Sequence, residues 1–284
     1  MASRKVGIVT GGASGIGLAL TKHLVSRNYR VVIADIDITK SEAVARELGN
    51  DILAIQCDVS NWESQSAMFE KAFQWGGHLD FFAANAGVEE KESLYALPDD
   101  LEPKKPSMAT IEVDLLGVIY GLKLYRHYVR KSGTDEGGKM VVTASMAGLY
   151  PMYVAPLYCA AKSGAVGLTQ AVGLRLRSEE KITVNCICPG PVDTGISPGM
   201  QKLVPNEHMT PMSCVIKAFD KFIDEDVTGQ IAECSGDKIW IRERLPYSDD
   251  TAQFLNQDML NSKKFGKYYK RGPPKETVEQ TAKE

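Results

Sequence analysis

"KVGIVTGGASGIG", residues 5–17, decides how the fold is read. KVGIVT (5–10) is short, apolar and β-branched, the composition of a buried strand. TGGASGIG (10–17) then joins this strand to a helix expected from about Gly15 to Asn28. Gly11, Gly15 and Gly17 keep the spacing G-x-x-x-G-x-G. Such glycines let a backbone turn tightly and come close to a pyrophosphate, while the helix start offers free N–H groups and a positive dipole end. A glycine-rich turn with no ligand has the same spacing by chance, so the rest of the chain has to decide.

Outward from this stretch the pattern repeats. Strands are expected at 29–35, 51–58, 79–85, 139–144 and 182–187, and a last one within 229–241. Helices are expected at 39–49, with Thr39 as N-cap, and at 61–75, 107–131 and 157–178. Strands alternating with helices imply an α/β fold, a doubly wound parallel sheet with helices on both faces. The alternation runs to about residue 242, so residues 1–242 read as one domain and residues 243–284 as a C-terminal extension whose end is mobile. EEKESLYALPDDLEPKKP (89–106) is half charged, holds three prolines and reads as a surface insertion.

Composition bounds the function. At 284 residues, 44% hydrophobic and net charge −3, the chain can bury a core and offers no electrostatic footprint for nucleic acid. MASRKVGIVTGG reaches a strand-like run within five residues, so no signal peptide is expected, and no run of 18 apolar residues suggests a membrane span. Six scattered cysteines read as reduced thiols of a cytoplasmic protein, and Cys186 and Cys188 would share one strand face. The four histidines show no common spacing, and no metal site is expected.

Asp35 ends the second strand, 18 residues beyond Gly17, where an acid can hydrogen-bond the adenosine ribose hydroxyls. It would also repel the 2′-phosphate of NADP. Like charges about 4 Å apart cost roughly 1 kcal/mol in water and about 4 kcal/mol at intermediate dielectric. That amounts to a preference for NAD of several-fold to about a thousandfold. The next residues, Ile36 and Asp37, bring no cation to soften the clash.

In register along most of the chain stand TGGASGIG (10–17), Asp35, CDV (57–59), NAG (85–87), Ser145 in VVTASMAG, YCAAK (158–162) and PGPVDT (189–194). With these motifs the sequence resembles the short-chain dehydrogenase/reductase family over residues 4–241. Within the family it is most similar to the NAD-dependent 15-hydroxyprostaglandin dehydrogenase group, through IQCDVS, APLYCAAKSGAVGLTQ, NCICPG and VTGQIAECSGDKIWI. The resemblance implies a Rossmann-type sheet of about seven strands, interconversion of a secondary alcohol and a ketone, and a homodimer or homotetramer built through the helices at 107–131 and 157–178.

Tyr158 and Lys162, one turn apart on a helix, face the same way. An alcohol must lose its hydroxyl proton as its hydride leaves, and a phenol is a poor base at neutral pH. A nearby ammonium favours the phenolate, which makes Tyr158 the general acid/base. The resemblance adds that Lys162 binds the nicotinamide ribose, that Ser145 positions the substrate oxygen, and that small Cys159, Ala160 and Ala161 let the cofactor lie close. It implies cofactor contacts from Gly11, Ser14, Gly15, Ile16 and Gly17, from Asp35 and Ile36, and from Asp58 and Val59 around the adenine. Further contacts would come from Asn85, Ala86 and Gly87, from Tyr158 and Lys162, and from Pro189, Gly190, Val192 and Thr194 at the nicotinamide end. Ser145, Met146, Ala155 and Tyr158 would meet the substrate.

Two positions depart from the family pattern. Asp114 stands where the family has an asparagine that keeps a helix distortion and offers its main-chain carbonyl to a proton relay; the relay is expected to survive with altered pH dependence. Ala155 stands where prostaglandin dehydrogenases carry a glutamine that contacts the substrate, which argues against copying that substrate. Met146, Tyr150, Met152 and Tyr153, with Met200, Leu203, Met209, Met212, Phe219 and Phe222 of the stretch 195–225, which the resemblance implies is a substrate lid, suggest an apolar small molecule. Lid-to-body packing explains the same residues. The leading expectation is an NAD-dependent oxidoreductase. An NADPH-dependent biosynthetic ketoreductase and a non-catalytic dinucleotide-binding regulator are the alternatives.

Overall fold

The computed structural model describes residues 4–92, 94–95, 104–133, 136–196 and 199–259. The elements in chain order are β1 (Val6–Thr10), α1 (Gly15–Ser26), β2 (Arg30–Asp35), α2 (Ile38–Leu48), β3 (Ile52–Gln56), α3 (Trp62–Gly76) and β4 (Phe81–Ala84). Then follow α4 (Ala109–Ile111), a π-turn (Glu112–Leu116), α5 (Gly117–Ser132), β5 (Gly138–Thr143), α6 (Pro156–Glu180) and β6 (Ile182–Pro189). The last are α7 (Met200–Leu203), α8 (Met212–Asp224), β7 (Ile231–Ser235), β8 (Lys238–Arg242) and α9 (Asp250–Gln253).

The strands form one sheet in the order β3-β2-β1-β4-β5-β6-β7-β8. Every neighbouring pair is parallel except β7 with β8, which is antiparallel. Seven parallel strands answer the expectation of about seven. The eighth arises because the stretch expected to hold one strand folds into a hairpin. Ser235 pairs with Lys238, and Gly236 between them takes φ +55°, as a tight Gly-Asp turn requires.

Strand alternation sorts the core into two layers. Ile8, Val32 and Phe82 face one side, against Phe69 of α3 and Leu122 and Tyr125 of α5. Val9, Ile33 and Phe81 face the other, against Leu20 and Leu24 of α1 and Phe219 and Phe222 of α8. Cys186 and Cys188 do share one face, with Ile187 on the other.

Two local readings change. Asp37, not Thr39, caps α2: its side chain accepts from Lys40 N at 3.0 Å, and Thr39 already lies inside the helix. The long helix expected at 107–131 is broken by the π-turn around Asp114. Much of the 89–106 insertion, and the tail beyond residue 259, lie outside the described residues.

Sheet order fixes where a ligand can sit. β1 lies between β2 and β4, so the connections leaving β1 and β4 part to opposite sides. A crevice opens at their carboxyl ends, the place where open α/β sheets bind ligands.

Candidate active site

A cavity of about 950 Å³ occupies that crevice. Its nucleotide half starts at the glycine turn. Gly11 (φ +63°) and Gly15 (φ +51°) adopt the left-handed conformation that favours glycine. A Cβ on Gly11 would stand 3.0 Å from Ala86 Cα, and one on Gly15 would stand 3.2 Å from Thr194 Cβ. The turn is therefore drawn tight against the loops after β4 and β6. Ser14 is the N-cap of α1 but its side chain makes no capping bond, and no acid lies in the first turn. The 12-residue helix thus presents an uncancelled positive end to the cavity. These features fit a pyrophosphate.

Asp35 sits in the cavity wall with both carboxylate oxygens engaged. Oδ2 accepts from Ala13 N and Oδ1 from Asp37 N, each at 3.1 Å. Lys40 lines the same end and lies 3.2 Å from Asp37 Oδ2. The sequence reading considered only Ile36 and Asp37 beside Asp35 and missed this cation, which the first turn of α2 brings round. Asp58 clamps its own turn, accepting from Ser60 N at 2.9 Å and Ser60 Oγ at 2.6 Å. Cys57 beside it is pushed up to about 11, chiefly by burial.

Asn85 ties three strand ends together. Its Nδ2 donates to Thr10 O at 3.0 Å and its Oδ1 accepts from Thr143 Oγ1 at 3.1 Å. Three residues on, Val88 N donates to Asp114 Oδ1 at 2.9 Å. Glu90, two further, accepts from Leu157 N at 2.7 Å and Tyr158 N at 3.0 Å. Ala155 has no capping side chain and Pro156 has no N–H, so Glu90 caps α6 from another loop. Sequence reasoning missed Glu90 because it falls in the segment read as solvated insertion.

Tyr158 is half-buried in the cavity wall; Lys162 is buried, 3% exposed. Lys162 Nζ lies 5.4 Å from the centre of the Tyr158 ring and donates to Thr143 O at 3.1 Å. It also lies 3.0 Å from Asp114 Oδ2, and both side chains of that ion pair are almost fully enclosed. Burial pushes the Lys162 ammonium down, yet Asp114 and then Tyr158 outweigh it, so Lys162 is held above the ordinary lysine value. Ser145 follows β5 and uses its Oγ to accept from Ala147 N at 3.2 Å.

With one exception, every residue expected to touch cofactor or substrate lines this cavity, from Gly11 and Ser14 to Val192 and Thr194, including Met146 and Ala155. The exception is Gly17, which sits behind the wall. A Cβ there would lie 2.1 Å from Gly11 O and 2.7 Å from Asn85 Nδ2, so Gly17 lets α1 pack on the turn. Cys159, Ala160 and Ala161 do not line the cavity either: Cys159 Sγ meets Met152 and Ala161 is core. Met146, Tyr150, Met152, Val154, Ile196 and Met200 line the cavity too. Tyr150 donates to Glu233 Oε2 at 3.1 Å, and that bond raises its phenol. Tyr153 is 81% exposed, Leu203 is 82% exposed, and Phe219 and Phe222 are fully buried in the core. Packing against the body thus accounts for the two phenylalanines.

A glycine turn, a helix end and a buried lysine beside a tyrosine, all at one sheet edge, define a dinucleotide-binding α/β oxidoreductase. The family model described as short chain dehydrogenase matches residues 5–203, and the chain belongs to that family. Its members bind a nicotinamide dinucleotide and act on hydroxyl or keto groups of small molecules. The chain is 32% identical over 235 residues to the short-chain dehydrogenase/reductase prx6 of Penicillium rubens, covering 80% of this chain and 78% of that one. It is 31% identical over 204 residues to human 15-hydroxyprostaglandin dehydrogenase [NAD(+)], covering 70% and 72%. Among solved structures, a 3-ketoacyl-(acyl-carrier-protein) reductase from Brucella melitensis, complexed with NADH, superposes with TM-score 0.72 at 22% identity, covering 82% of this chain and 98% of that one. That likeness speaks to the fold. Among the described residues no helix is long and apolar enough to cross a membrane.

Proposed function

We propose that the protein interconverts a secondary alcohol and a ketone on a mostly apolar small molecule, with NAD as cofactor and Tyr158 as general acid/base. The observation that carries this reading is the buried Lys162 ammonium 5.4 Å from the Tyr158 ring, on the wall of a cavity that continues into a pyrophosphate cradle. When bound, the nicotinamide supplies the hydride acceptor. Ser145 Oγ holds the substrate oxygen and Tyr158 Oη takes its proton. Lys162 sustains the negative charge left on the phenol, and Asp114 acts through Lys162.

Asp35 supports NAD: a carboxylate at the end of β2, held by the Ala13 and Asp37 amides, would repel a 2′-phosphate. The NAD-dependent human relative agrees with this preference. Lys40, on the same wall, is the one observation that favours NADPH. Measured affinities decide: tighter binding of NADP than of NAD would overturn the NAD reading. The six free cysteines suit a reducing, cytoplasmic setting, and Ile119, 37% exposed on α5, suits a homo-oligomer.

The test is NADH formation from NAD with a panel of apolar secondary alcohols. The parent is expected to turn over at least one, and Tyr158→Phe to lose about a hundredfold to ten-thousandfold in rate while still binding NADH. A Tyr158→Phe variant as fast as the parent would remove Tyr158 from the mechanism.

A further inference from the structure

Glu90 belongs to the catalytic helix and to the cavity at once. Its Oε2 takes the main-chain N–H of Tyr158 itself at 3.0 Å, so a carboxylate is bonded to the backbone of the residue that carries the reacting phenol. Its Oε1 is buried and has no hydrogen-bond partner among the described residues. The cavity's cations are unevenly placed. Among the described residues that line it, they are Lys40 and Lys162. Lys40 lies beside Asp37 at the adenosine end, and Lys162 is enclosed against Asp114 at 3.0 Å. The rest of the lining includes the apolar Met146, Met152 and Val154, with Tyr150, and the acids Glu89 and Glu90, the latter at the start of α6, and no further cation among the described residues. Arg242, outside this lining, lies 3.4 Å from Glu233.

We propose that Glu90 makes the substrate half of the cavity select uncharged secondary alcohols and ketones over their carboxylate-bearing counterparts. The proposal rests on the oxidoreductase reading and adds the charge class of the substrate. A substrate carboxylate that came within about 7 Å of Glu90 would meet a penalty of about threefold in a water-like setting and about fiftyfold at intermediate dielectric. Nothing on the apolar wall repays it.

A matched pair of probes isolates the charge: β-hydroxydecanoate and its methyl ester, both apolar secondary alcohols. The full chain with NAD is expected to favour the ester in kcat/KM by about three- to fiftyfold. Glu90→Gln keeps an acceptor oxygen for the α6 amides and removes the charge, so the ratio should fall by the same factor. In the parent the ratio should also shrink as salt rises, since screening weakens the repulsion; this arm needs no variant. A parent ratio near one, a preference for the acid, or a ratio unmoved by Glu90→Gln overturns the proposal. If neither probe is oxidised, the oxidoreductase reading fails for this pair. The selectivity is then read from the affinities of the two probes for the NADH complex, where equal affinities overturn it.

Discussion

Asp114→Asn tests how the enclosed charges govern the proton step. The Asp114 carboxylate lies 3.0 Å from Lys162 Nζ, which lies 5.4 Å from the Tyr158 ring centre. The carboxylate is thus no more than about 8 Å from that centre, and it opposes a phenolate there. At 8 Å the opposition is about 0.5 kcal/mol in water and about 2 kcal/mol at an effective dielectric near 20. Asparagine removes the charge and leaves Lys162 its bond to Thr143 O. Alcohol oxidation needs the base deprotonated, so its rate rises through an acid limb as pH increases. With Lys162 kept protonated by the phenolate and its bond to Thr143 O, loss of the opposing charge should move that limb to lower pH by about 0.4 to 1.5 pH units. The assay is initial-rate NADH formation across pH, with NADH affinity measured in parallel to check that the variant still binds cofactor. A limb that stays in place, or moves to higher pH, would refute the reasoning.

The same ion pair sets stability. Lys162→Met leaves the Asp114 carboxylate enclosed without its cation and should cost about 3–5 kcal/mol in denaturant unfolding, with Asp114→Asn in the same chain recovering part of it. A loss under 1 kcal/mol would mean that the pair is solvated. Gly17→Ala drives a Cβ to 2.1 Å from Gly11 O, a backbone atom that cannot turn aside. It should cost about 1–3 kcal/mol or more and weaken NADH binding; an unchanged unfolding midpoint contradicts the close packing described. Asp35→Ser releases the amides of Ala13 and Asp37 and should lower the NAD-to-NADP affinity ratio by several-fold to about a thousandfold. A constant ratio would take Asp35 out of the discrimination.

What the sequence disclosed follows from the range of the physics behind it. β1 and the glycine turn were legible because strand burial and positive φ at Gly11 and Gly15 are written in neighbouring residues. So was the meeting of Tyr158 and Lys162, since four residues on a helix fix it. The cap of α2 went astray because Asp37 and Thr39 are both capping types and only the fold chooses. The β7–β8 hairpin carried a local signal, Gly236-Asp237 between two apolar runs, that a single long strand had absorbed. The π-turn had no local signal, because EVDLL reads as ordinary helix; only the family resemblance at Asp114 pointed to a distortion there. Glu90 was out of reach: its partners are 67 and 68 residues away, and a charged, proline-bearing stretch gives no hint of them.

Residues 85–90 hold three separate parts of the machinery in six positions: Asn85 joins β1 to β5, Val88 holds Asp114 and Glu90 caps α6. A spacing so short leaves no slack. One inserted residue there would put all three anchors out of step together, whereas the exposed Lys91, Glu92, Leu94 and Tyr95 that follow carry none of them. Attempts to widen the range of accepted molecules by loop grafting therefore have a natural splice point just after Glu90, and a forbidden zone just before it.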